Sequence, residues 1–78
     1  MEAAFKDEVF YIQSGMIFMT YGYTDNMDEA KTIILNKGER FHVPVGLRHQ
    51  MKAIEDTELF EFSTQHFDDD SYRVIKGD

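Results

Sequence analysis

The sequence predicts a small all-β sandwich or barrel. Short runs rich in β-branched and aromatic residues recur at roughly ten-residue spacing, which is the pattern of packed antiparallel strands. Turn-forming residues separate the runs, and no stretch sustains the apolar i, i+3, i+4, i+7 pattern of a helix. The chain has 78 residues, enough for one domain spanning 1–78.

Each element follows from local chemistry. Glu8 to Gln13 reads as a strand stopped by the hairpin signal Ser14-Gly15, and Met16 to Tyr21 resumes as its partner. Thr24 to Glu29 is polar and turn-forming, so it reads as an exposed loop. Thr32 to Leu35 is a third strand, closed by Asn36-Lys37-Gly38. Arg40 to Val43 is a fourth, ending before Pro44, which cannot donate to a ladder. Pro44 to Leu47 is a turn. His49 to Ile54 and Glu58 to Ser63 alternate as two further strands around the loop Glu55-Asp56. His66 to Ile75 reads as an acidic turn followed by a terminal strand; a short helix capped by Asp is the alternative.

Composition limits what this domain does. A chain this short buries only roughly 60% of its unfolded surface, so it usually needs a disulfide, a metal or a partner chain. The absence of cysteine removes disulfides, thiolate metal sites and Cys nucleophiles. A net charge of −7 argues against a nucleic-acid backbone or an anionic membrane surface as partner. No apolar stretch approaches the ~20 residues of a membrane span. The start, Met-Glu-Ala-Ala-Phe-Lys-Asp-Glu, lacks the basic region and apolar core of a signal peptide, so a cytoplasmic location is expected.

One segment carries a family pattern. Gly38 is followed after five residues by Pro44-Val45-Gly46, and after two more by His49. Upstream, Glu8 is followed after six residues by Gly15. Together these resemble the second motif and the end of the first motif of the cupin family, over about residues 8 to 63. The resemblance implies a small jelly-roll-like barrel, shortened at the N-terminus. It also implies an inward-facing His49 that, with Glu8 and two histidines of the first motif, holds a divalent metal such as Zn, Mn, Fe or Ni. Three positions depart from the pattern. Ala53 stands where the motif ends in Asn, and the His-x-His positions fall on Glu2 and Ala4, or on Met1 and Ala3. Within the family, Phe41-His42-Val43-Pro44 and the acidic hairpin Glu55-Asp56 look most like the small phosphomannose and phosphoglucose isomerase-like cupins.

The residues themselves give a candidate site. His49 is the first catalytic candidate, against a plain turn histidine satisfied by backbone. Glu8 shares a strand face with Phe10 and Ile12 and so points either into an apolar interior or, on the opposite reading, to solvent. A Glu8–His49 pair suits general acid–base work, with or without metal. Arg48 is a candidate for holding a phosphate or carboxylate through its planar fork. His42 and Tyr11 complete the expected substrate contacts, and Tyr21 and Tyr23 are further mouth candidates; packing and surface roles are the alternatives. His66 with Asp68 to Asp70 reads first as solvated charge and only second as a metal cluster.

Two functions compete on this evidence. One is aldose–ketose isomerisation of a sugar or sugar phosphate, with Glu8 or His49 as base and a metal or Arg48 as electrophile. The other is a non-enzymatic sugar-binding or small-molecule-binding module that has lost its metal. A metal-dependent dioxygenase ranks last, because it needs a facial ligand set that these residues do not supply alone. Strands 9–13 and 16–21 carry bulky residues on both faces. A homodimer is therefore expected, with a partner copy covering what one chain leaves open.

Overall fold

Side-chain alternation along the strands sorts this chain into two four-stranded antiparallel sheets facing one another. The computed structural model describes residues 1–4, 7–63 and 71–77. Its strands are β1 (Glu2–Ala3), β2 (Glu8–Ser14), β3 (Met16–Gly22), β4 (Lys31–Asn36), β5 (Arg40–Val43), β6 (Arg48–Ala53), β7 (Thr57–Ser63) and β8 (Ser71–Ile75). One sheet has the order β1-β6-β3-β4 and the other β5-β2-β7-β8. This is the expected small jelly-roll-like sandwich. Within the tail Ser71–Ile75 forms a strand, and β1 adds a short strand that the sequence pattern does not announce. The 24–29 loop contains one 3-10 turn, Met27–Glu29, capped by the Asn26 side chain, which accepts from the Asp28 amide. The stretch 64–70, with His66 and Asp68 to Asp70, lies outside the described residues.

The core is what alternation requires. Phe10 and Ile12 of β2, Ile17 and Met19 of β3, Val43 of β5 and Leu59 of β7 are fully or almost fully buried between the sheets. Leu35, Leu47, Ala4 and Ala53 extend the cluster. Glu8 shares the inward parity of Phe10 and Ile12 and is half-buried.

Two turns fix the register. Gly15 joins β2 to β3 at φ +93°, and a Cβ there would collide with Thr57 Oγ1 and the Asp56 carbonyl. Only glycine fits that conformation and that gap without strain. Buried Thr57 crosses between the hairpins: its hydroxyl accepts from the Met16 amide at 3.0 Å and lies 2.8 Å from the Glu55 carbonyl. The motif glycines Gly38 and Gly46 also adopt positive φ, +87° and +88°. From the first of these corners the Gly38 amide donates to the Ile12 carbonyl at 2.8 Å, tying the β4–β5 hairpin to β2.

Candidate functional site

The second turn shapes the interior. Pro44 ends β5, and the Leu47 amide bonds back to the Pro44 carbonyl at 3.1 Å. The Gly46 amide donates to the Ala4 carbonyl, and the Ala4 amide to the Leu47 carbonyl at 3.0 Å. These bonds seat Leu47 and Ala4 in the core, while Asp7 Oδ1 accepts from the Val45 amide at 2.9 Å. The turn then delivers His49 onto the inward face of β6, in line with Met51 and Ala53.

His49 sits where the two sheets approach. Its ring centroid is 5.8 Å from that of Phe10 on the opposite sheet, and its Nδ1 is 3.4 Å from the Leu47 carbonyl. In the Nδ1-protonated tautomer that nitrogen donates to the carbonyl, which leaves Nε2 as an acceptor for a ligand hydroxyl. Glu8 lies two residues from Phe10 on the facing sheet, so the fold turns both motif residues inward from opposite walls.

A cleft of about 500 Å³ opens on the β6–β8 side, lined by Met1, His49, Gln50, Met51, Arg73 and Ile75. That volume falls within the ~300–1,000 Å³ of small-molecule sites. Arg73 enters it from β8, with Nη1 3.1 Å from Glu61 Oε1. The lining therefore combines the donors and acceptors of His49 and Arg73 with the apolar sides of Met51 and Ile75. A second cleft of about 330 Å³ lies on the β4–β5 side, lined by Tyr21, Gly22, Tyr23, Glu29, Lys31, Phe41, His42, Pro44 and Leu47.

Several expected contacts fall elsewhere. Tyr11 is on the outer face of β2, opposite Phe60 and Arg40 in register, and lines neither cleft. The reason is parity: Phe10 and Ile12 point inward, so Tyr11 points out. Arg48 turns to the β3–β4 loop, with Nη1 2.7 Å from Asp25 Oδ1. Its fork is thus held by a loop carboxylate and lines neither cleft. His42 is exposed at the rim of the second cleft, 3.9 Å from Asp7 Oδ1. Tyr21 and Tyr23 do line a mouth, and the Tyr21 and Phe41 rings tilt together at 5.1 Å.

Arg73 is the contributor that the sequence pattern misses. Nothing near it in the chain signals a site; its place depends on the pairing of β8 with β7, which sets Arg73 opposite Leu59. Gln50 and Met51, read as ladder and core, also line the cleft.

The metal implied by the family resemblance does not fit these residues. Among the described residues no group of three or more His, Cys, Asp or Glu side chains converges. His49 and Glu8 alone fall short of the three protein ligands of a catalytic zinc or facial-triad centre. No helix among the described residues is long and apolar enough to cross a membrane.

Among curated proteins and among solved structures, none matches this chain. A family model described as Cupin matches residues 5–76, nearly the whole length and both motif segments. With two antiparallel sheets and a Pro-x-Gly turn that carries His49 inward, the chain belongs to the cupin family.

Proposed function

We propose that this cupin is a small-molecule-binding module that takes a neutral, sugar-like polyol in the cleft between β6 and β8. The observation that supports this reading is the lining itself. His49 and Arg73 offer hydroxyl-directed donors and acceptors, while Met51 and Ile75 offer a surface to the C–H side of a ring. Arg73 is already neutralised by Glu61, and the chain carries a net charge of −7, so the cleft favours an uncharged ligand over a phosphate ester. Titration of the ¹⁵N-labelled chain with monosaccharides, and with the matching sugar phosphates, tests this. The neutral sugar should shift the amides of His49, Gln50, Met51, Arg73 and Ile75, and the phosphate should bind no better. Tighter binding of the phosphate would contradict the neutral-ligand assignment.

A second reading, aldose–ketose isomerisation, rests on Glu8 and His49 facing inward from opposite sheets. In that chemistry one of them removes a proton from the carbon beside the carbonyl and returns it to the neighbouring carbon. The expected outcome of His49→Ala would be loss of most isomerase turnover, on the order of 100-fold or more for a general base. An unchanged rate would remove His49 from the chemistry.

A further inference from the structure

We propose that the cleft on the β4–β5 side binds a free α-amino acid with an aromatic side chain. It shares no lining residue with the His49 cleft, so it is a second site. Strand parity builds its floor. Tyr21 continues the inward row of Ile17 and Met19 on β3, and Phe41 lies opposite inward Phe10 in register. The Tyr21 and Phe41 rings meet at 5.1 Å, tilted by 54°, and Pro44 and buried Leu47 complete the apolar lining. A volume of about 330 Å³ suits a small ligand. The ring pair favours an aromatic over an aliphatic side chain, because ring–ring contacts add to the burial of area.

Charge selects the rest of the ligand. Lys31 shares the inward parity of Ile33 and Leu35 on β4 and lies opposite Tyr21, so it joins the cleft from the same wall. Glu29, two residues earlier in the 3-10 turn, lines the same cleft. Its Oε2 accepts from the Thr24 hydroxyl at 2.9 Å, and that hydroxyl accepts from the Asn26 amide at 3.2 Å. The loop thus holds the carboxylate in place and leaves Oε1 for a ligand. Among the described residues neither Lys31 nor Glu29 forms an ion pair, whereas His42 at the rim lies 3.9 Å from Asp7 Oδ1. An unpaired cation and an unpaired anion beside an apolar floor complement a zwitterion. The α-carboxylate goes to Lys31 Nζ, the α-ammonium to Glu29, and the ring to Tyr21 and Phe41. A zwitterion also avoids the repulsion that a net charge of −7 imposes on an anion.

Amide-shift titration of the ¹⁵N-labelled chain with three probes tests the proposal. They are L-phenylalanine, 3-phenylpropionate, which lacks the ammonium, and 2-phenylethylamine, which lacks the carboxylate. Phenylalanine should shift the amides of Tyr21, Gly22, Lys31, Phe41 and Leu47. It should bind at least ~10-fold tighter than either analogue, the scale of one charge-assisted hydrogen bond. Lys31→Met should weaken phenylalanine by a similar factor without weakening phenylethylamine. Glu29→Gln should weaken phenylalanine without weakening phenylpropionate. Should either variant lose its β-sheet circular dichroism, the three-probe comparison on the wild type decides. Equal binding of the three probes, no shifts at these amides, or shifts centred on Met51, Arg73 and Ile75 would overturn the site.

Discussion

At Gly15 a single missing methyl group holds two hairpins together. The residue combines positive φ with backbone and side-chain neighbours where its Cβ would lie. Thr57 stands in that gap and ties the Met16 amide to the Glu55 carbonyl. Gly15→Ala therefore adds conformational strain to overpacking, together at least ~3 kcal/mol. In a domain of this size that should lower the melting temperature by ~12 °C or more, read by circular dichroism. An unchanged melt would mean that the turn relaxes freely. The inward placement of His49 is equally a residue-scale result, set by Pro44 ending one strand and Gly46 turning the chain into the next.

The strands show what a sequence can and cannot reveal at the scale of elements. β2, β3 and β7 are legible because period-2 alternation is a local signal: Phe10 and Ile12 against Val9 and Tyr11 declare two faces before any partner is known. That parity already contains the outward position of Tyr11. β8 is different. Its five residues Ser71–Ile75 are exposed or half-buried, and its position depends on pairing with β7 across a long sequence gap. Arg73 enters the cleft only through that pairing, and Arg48, next to inward-facing His49, turns to the other face of β6, where Asp25 of the 24–29 loop holds it. The family motif marked one wall of the site, and non-local register supplied the other.

The far end of β8 is clamped in a way that titration can read. The Gly77 amide donates to Asp56 Oδ1 at 3.0 Å, and Lys76 Nζ lies 3.2 Å from Oδ2. The Gly77 hydrogen bond first, and Lys76 second, hold the Asp56 pKa below its ordinary 3.8. With a depressed folded-state pKa, the clamp is fully present above 3.8 and is lost as pH falls through the lower folded value. An NMR titration should therefore give Asp56 a midpoint below 3.8, with the Gly77 amide shifting in step. A midpoint at or above 3.8 would show that the end of β8 is not held by this carboxylate.

At the scale of the molecule, a chain without cysteine holds its 78 residues together without disulfides. The core between the sheets supplies the packing, and β7 and β8 leave Phe62, Tyr72 and Val74 exposed on their outer face. In the proposed function the ligand takes the β6–β8 side. His49 comes to it from one sheet and Arg73 from the other, so a bound molecule would bridge the sandwich. The most direct test is an amide-shift titration of wild type and Arg73→Ala with a monosaccharide panel. Binding at the His49 cleft is predicted, with affinity reduced on the order of tenfold by the loss of a charge-assisted hydrogen bond. No shifts at His49, Gln50, Met51, Arg73 and Ile75, or shifts centred on Tyr23 and His42, would contradict the assignment.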